Sequence, residues 1–212
     1  MNLLGMPKVL AEVTSPVNGK IRVLKSLGLG VHIQVQNLTQ SGGVVNSVWR
    51  KALREVRKLN PDKIKRCLVL GLGGGGSAML AKDLWPGVGV TGVDVDPLMV
   101  ELGKKYLGLK GVEVVIADAG DFIQSAVKNS DKYDLVLVDT YLGDAFPEKF
   151  ERESFLVRVK KLLSQDGVAV FNRLYWGEKR PQAMRFAARL ERVFPKVKYV
   201  FPEANLVLVC YN

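Results

Sequence analysis

An apolar strand that runs without a break into five glycines constrains this 212-residue chain more than any other stretch. In CLVLGLGGGGS, Cys67–Leu70 has the character of a buried strand. Gly71, Gly73, Gly74, Gly75 and Gly76 follow with one leucine among them, and 78–85 then reads as a helix. Backbone can approach a neighbour or a ligand closely only where Cβ atoms are absent, and a helix start offers unpaired N–H groups with partial positive charge. Gly71, Gly73 and Gly76 satisfy G-x-G-x-x-G, so the turn is a candidate nucleotide site. With 21 glycines in the chain the same pattern also suits a plain strand-to-helix turn, and the motif needs support from elsewhere.

That support begins with alternation. After 67–71 and its helix come strand 88–94 with helix 97–106, strand 112–117 with helix 121–128, strand 135–139 with helix 148–163, and strand 168–172 with helix 181–193. Strands alternating with helices at this length predict parallel βαβ units with right-handed crossovers, and near-continuous Val/Leu/Ile strands predict helices on both faces. The end breaks the rule. Strands 196–201 and 206–211 are joined by Pro202–Asn205, too short for a crossover, and must pair antiparallel. Upstream, 8–14, 20–27 and 31–36 are short apolar strands separated by turn residues, a meander too small to hold a core alone. A helix over 48–59, stopped by Asn60-Pro61, links the two parts. The predicted division is a small β domain over 1–45 and an α/β domain over 46–212.

Composition narrows the classes. No run of 18 apolar residues is present, so no membrane-spanning helix is expected, and the first ten residues lack the pattern of a signal peptide. Cys67 and Cys210 lie in apolar strand segments, the setting of reduced buried thiols, which predicts a cytoplasmic chain. A net charge of +10 would suit a nucleic-acid partner, but the bases are spread over three predicted helices. That spread favours solvated helix faces over a nucleic-acid footprint. His32 has no second His or Cys near it, and no metal site is expected.

Ligands of doubly wound sheets bind beyond the carboxyl ends of the strands. Asp94 ends the second strand, 23 positions after Gly71, where a carboxylate can accept from ribose hydroxyls. Asp96, before Pro97, reads as a helix cap. Asp118, followed by Ala119, ends the third strand, and Asp139-Thr140-Tyr141-Leu142-Gly143-Asp144 follows the fourth. Asp118 could alternatively cap the next helix.

Five parallel strands finished by an antiparallel hairpin resemble the class I S-adenosylmethionine-dependent methyltransferase fold, a seven-stranded Rossmann-type sheet. From about Val31 onward the chain resembles the spermidine synthase family, which adds a small β domain to that fold. Gln40, the glycine turn, Val93–Asp96, Asp118, Tyr133–Asp139 and Gly167 carry the likeness. The resemblance implies a cytoplasmic transferase that uses S-adenosylmethionine or its decarboxylated form, a small-molecule acceptor such as an amine, and a dimer or tetramer. It implies that Gln40, Gly71, Gly73–Gly76 and Asp94 hold the nucleoside, with Asp118 and Ala119 at the adenine, and that Asp139 faces the acceptor. The departures matter as much. The family's Tyr nine positions after its Gln is Trp49 here, whose indole N–H donates but cannot act as a base. The second Asp of a family D-x-x-D is Leu142, with Asp144 as a candidate replacement, and the Asp of a family GGGDG is Gly74. Loss of a carboxylate at 74 would remove an obstacle to intact S-adenosylmethionine. Tyr141, Arg173, Tyr175 and Trp176 are candidates to frame the acceptor. The expectation is methyl transfer, with aminopropyl transfer and non-catalytic nucleoside binding as alternatives.

Overall fold

A computed structural model describes residues 7–59 and 64–212 of the chain. Strands β1 (Lys8–Ser15), β2 (Gly19–Ser26), β3 (Gly30–Val35) and β4 (Leu38–Gly42) form an antiparallel meander. The expected meander lacked β4, because Thr39, Gln40 and Ser41 interrupt any apolar alternation. The turn that creates it is Gln36-Asn37, with φ of 49° and 65°. Two successive left-handed residues match the right-handed twist of a two-residue hairpin. Helix α1 (Gly43–Leu59) begins five residues earlier than expected, so the division at 45/46 falls inside its first turn. The stop expected at Asn60-Pro61 lies outside the described residues.

The second sheet contains β5 (Arg66–Leu70), β6 (Gly89–Asp94), β7 (Glu113–Ile116), β8 (Tyr133–Val138), β9 (Leu163–Leu174), β10 (Lys196–Val200) and β11 (Asn205–Tyr211). Its order is β10-β11-β9-β8-β5-β6-β7, with β11 antiparallel to both neighbours and the remaining pairings parallel. The doubly wound sheet with a terminal antiparallel hairpin is therefore present as expected. Helices α2 (Gly76–Leu84), α3 (Pro97–Tyr106), α4 (Ala119–Lys128), α5 (Glu153–Lys161) and α6 (Lys179–Val193) connect the strands. One expected helix is divided. Glu148–Phe150 is a 3-10 turn, α5 starts at Glu153, and Leu163 already belongs to β9. At the break, Glu151 pairs with the buried Arg173 and with Arg189.

Strict two-residue periodicity assigns the sheet's faces. Leu68, Leu70, Val136 and Val138 face α4, α5 and α6, while Cys67, Val69, Leu135 and Leu137 face α1 and α2. The basic rows on α1 and α6 consequently lie on opposite faces of the domain. Cys67 and Cys210 are free and buried, and burial pushes both thiols up. Among the described residues no helix is long and apolar enough to cross a membrane.

The meander does not stand alone. Ile21, Val23, Ile33 and Val35 pack on Met99 and Leu102 of α3. Asp96, wholly buried, caps α3 by accepting from Leu98 N (3.0 Å) and also accepts from Asn18 Nδ2 (2.7 Å) and Ser15 Oγ. The cap role expected for Asp96 is present, and the same carboxylate fastens the β1–β2 turn to the α/β domain. Asp96→Ala removes a cap and two polar ties together. It is expected to cost about 2–4 kcal/mol in urea unfolding. Amide exchange should speed up in β1 and β2 before it does in β5 or β8.

Candidate functional site

The sheet reverses direction at β5 and β8: the chain runs β5, β6, β7 to one side, then returns to lay β8 on the other. A doubly wound sheet opens a crevice at such a reversal. Here a cavity of about 490 Å³ lies over the strand ends, within the usual range for ligand pockets. One half lies over β5, β6 and β7, where Gly71, Gly73, Asp94, Asp118 and Ala119 reach it. The other lies over β8, β9 and β11, with Asp139, Tyr141, Asn172 and Asn205.

The glycine turn is built for contact within the protein. Gly71, with φ of 82°, lies so close to β8 that an added Cβ would overlap the carbonyl of Asp139. Its N–H and that of Leu72 donate to Val93 O, Gly73 N to Asp94 Oδ2 (2.6 Å), Gly74 N to Ser41 Oγ (2.8 Å) and Gly75 N to Leu72 O (2.9 Å). The expectation that amides along the whole turn hold a ligand is corrected accordingly. The N–H groups left by helix geometry are those of the first turn of α2, at Gly76 and Ser77, and both residues line the cavity. Gly74 and Gly75 do not line it. A Cβ at 74 would meet Leu107 (2.7 Å), Ser41 (2.9 Å) and Ile33 (3.0 Å), so position 74 faces the meander and its lack of a carboxylate does not shape the ligand space. Gly103 of α3 presses from another side, its would-be Cβ 2.6 Å from Gly74 O. Gln40, expected at the nucleoside, donates through Nε2 to Gly143 O (2.8 Å) and so joins β4 to the loop after β8.

The three acids differ in their surroundings. Asp94 is deeply set; burial pushes its carboxyl up, against the donors Asp96 N and Gly73 N. Backbone N–H groups of Gly73, Asp96 and Val95 thus hold the carboxylate, which keeps acceptor capacity for a ribose hydroxyl. Asp118 plays its cap role, accepting from Gly120 N (2.9 Å), and pairs with Lys149. Burial pulls Asp118 upward, but the Lys149 ammonium and the Gly120 amide outweigh it and hold the carboxyl below its ordinary range. Among the described residues, Asp139 has no cation paired with it. Burial raises it to about 6, against Asn172 Nδ2 on Oδ1 (2.9 Å) and Trp49 Nε1 on Oδ2 (2.9 Å). Asn172 is itself oriented, because its Oδ1 accepts from Asn205 Nδ2 (2.8 Å). A chain of polar groups therefore crosses three adjacent strands, from Asn205 of β11 through Asn172 of β9 to Asp139 beyond β8.

Other expected residues lie elsewhere. Asp144 is outside the cavity, on the surface with Lys179, whose ammonium 2.9 Å away holds the carboxyl low, and so it does not replace the missing second acid. The glycine-containing turn Leu142–Ala145, closed by backbone hydrogen bonds between its ends, leaves Asp144 exposed while Leu142 lines the cavity. Arg173 lies beneath the site between Phe146 and Phe186, bonded to Glu151, and Tyr175 packs on Phe201. Tyr141 reaches the cavity, but its hydroxyl accepts from Leu174 N (2.8 Å) and burial pushes the phenol up, which suits a strut better than a base. Trp176 stands at the wall with 43% of its surface exposed. Sequence reasoning missed Ser41, Asn172, Asn205 and Lys149; for Asn172 a polar residue near a strand's carboxyl end was the available signal.

Comparison with known proteins follows the same lines. Residues 47–204 match the family model described as the spermine/spermidine synthase domain. The chain is 34% identical over 116 residues to a polyamine aminopropyltransferase of Vibrio vulnificus (strain CMCP6), covering 53% of this chain and 38% of that protein. It is 30% identical over 159 residues to the eEF1A lysine and N-terminal methyltransferase of Homo sapiens, covering 68% and 22%. The chain thus spans well under half the length of these relatives. In structure it is similar to spermidine synthase from Thermotoga maritima, with a TM-score of 0.78 at 20% identity over 96% of this chain and 72% of the other. It is also similar to human methyltransferase-like protein 13 in complex with SAH, with a TM-score of 0.62 at 27% identity over 79% of each.

The polar chain can be read without any ligand. The carboxyl ¹³C resonance of Asp139 is expected to titrate near pH 6, well above an ordinary aspartate. Trp49→Phe removes a donor to the charged form and Asn205→Ala frees Asn172 to rotate, so both should move the midpoint upward. A wild-type midpoint near 4 would contradict this account.

Proposed function

The chain belongs to the spermine/spermidine synthase family, and from that premise we propose that it transfers a methyl group from S-adenosylmethionine to an amine. The observation that carries this choice over aminopropyl transfer is the start of α2. Its first-turn amides at Gly76 and Ser77 border the cavity, and the turn contains no acidic residue. A helix N-terminus of this kind favours a carboxylate and disfavours an ammonium. The methionyl carboxylate of the intact molecule suits it; the bare aminopropyl ammonium of the decarboxylated form finds there a positive helix end with no acidic residue in the turn.

The remaining residues fit the rest of such a molecule. Asp94 keeps acceptor capacity for a ribose hydroxyl, and Asp118, at the end of the third strand, would receive the exocyclic amine of adenine. The relative solved with SAH bound supports the same class of ligand. S-adenosylmethionine, when bound, supplies a methyl group whose S–C bonding pair returns to sulfur as the amine's lone pair forms the N–C bond. Asp139 has the complementary task. Its carboxylate holds the acceptor's ammonium and takes one proton, which is feasible because burial lifts it towards the working pH while Trp49 and Asn172 keep it from rising further. Trp49 spends its N–H on that carboxylate and is a positioning residue. Oriented binding supplies most of the acceleration in a direct displacement of this kind.

Calorimetric titration tests the choice. S-adenosylmethionine is expected to bind at least about tenfold tighter than the decarboxylated form, a difference of about 1.4 kcal/mol. Tighter binding of the decarboxylated form, together with turnover of putrescine, would establish aminopropyl transfer instead. Turnover of an amine should rise with pH through about 6 as Asp139 ionises and should be lost in Asp139→Asn.

A further inference from the structure

The half of the cavity over β8, β9 and β11 has a charge pattern that limits what can enter it. Two of its wall residues are acids, Asp139 and Glu203. Glu203 is neutralised by Lys51, whose Nζ lies 2.7 Å from its carboxylate. Asp139 is different, because both of its donors, Trp49 and Asn172, are neutral. When ionised it leaves one uncompensated negative charge facing the cavity. A buried charge of this kind calls for one partner of opposite sign.

Beside polar side chains such as Gln40, Tyr141, Asn172 and Asn205, the wall carries apolar and accessible ones. Val44 is 38% exposed, and Leu142 and Trp176 are each 43% exposed. All three are among the large exposed hydrophobic side chains of the described residues, and all three line the cavity, as does Val48. Scattered apolar residues on a surface need no explanation, but apolar residues gathered on the wall of a pocket mark a place where apolar ligand surface is buried.

We infer that the acceptor is a monoamine with an apolar body, its nitrogen at Asp139 and its carbon skeleton along Val44, Val48, Leu142 and Trp176. The inference rests on the transfer reading above and names its substrate class. A diamine of the same length would place its second ammonium against Leu142 and Trp176, where no free acid receives it. Leu142 thereby becomes a specificity-determining residue.

The test uses the whole protein saturated with S-adenosylhomocysteine and a length-matched pair of probes, pentylamine and 1,5-diaminopentane, titrated calorimetrically. Pentylamine is expected to bind at least about tenfold tighter than the diamine, with that binding weakened at least about tenfold in Asp139→Asn. Leu142→Glu, a change at a surface-accessible position, should reverse the order of the two probes. Equal or tighter binding of the diamine by the wild-type protein would overturn the inference. So would absence of pentylamine binding at millimolar concentration, or displacement of pentylamine by a lysine peptide at lower concentration. The first titration separates the two levels: if S-adenosylhomocysteine binds and pentylamine does not, the acceptor class alone falls. If S-adenosylhomocysteine itself fails to bind, the transfer reading falls with it.

Discussion

The contact between Gly71 and the backbone of Asp139 is the constraint from which the rest of the site follows. It joins the carboxyl ends of β5 and β8, the two strands between which the sheet reverses direction. Any side chain at 71 would force these ends apart. Closing them brings the turn that leads into α2 against Asp139, the carboxylate over β8 whose two donors are both neutral. Both halves of the cavity therefore take their spacing from a single missing Cβ.

This changes what the run of glycines is for. Read as sequence, five glycines before a helix suggest a cradle of amides waiting for a ligand. In the fold the turn is packed on three sides, by β8 at Gly71, by Ser41 and Ile33 at Gly74, and by Gly103 of α3. Most of its amides are already taken. The amides left free are displaced by a few residues, to the start of α2. The glycines are required because neighbouring chain segments approach so closely, and the open helix end is a by-product of that packing.

What could be read from the sequence was whatever one segment expresses by itself. Strands of uninterrupted Val and Leu declared a sheet covered on both faces, and the antiparallel ending followed from the length of Pro202–Asn205. Asp94 and Asp139 were legible as strand-end acids, and both line the cavity. Asp96 was only half legible: Pro97 announces the cap, but nothing nearby announces Ser15 and Asn18. Asn205 reads as an ordinary turn residue, since its role exists only once β11 lies beside β9. β4 was hidden because its residues are chosen for the partners they meet, Ser41 for Gly74 N and Gln40 for Gly143 O, and not for burial. Asp144 misled for the converse reason, an acid close in sequence to the site that the loop turns towards solvent.

The ties that hold the meander to the α/β domain have a further consequence in the order of synthesis. Ser15 and Asn18 bond to a carboxylate 81 and 78 positions downstream, and Gln40 to a carbonyl 103 positions downstream. The apolar face of Ile21, Val23, Ile33 and Val35 likewise waits for α3. Residues 8–42 leave the ribosome long before the surface that covers them exists. Their contacts are among the most costly to close in chain entropy and the most exposed in the nascent chain. The meander is made before the α/β surface that completes it, and its packing is finished only when α3 and the loop after β8 are in place.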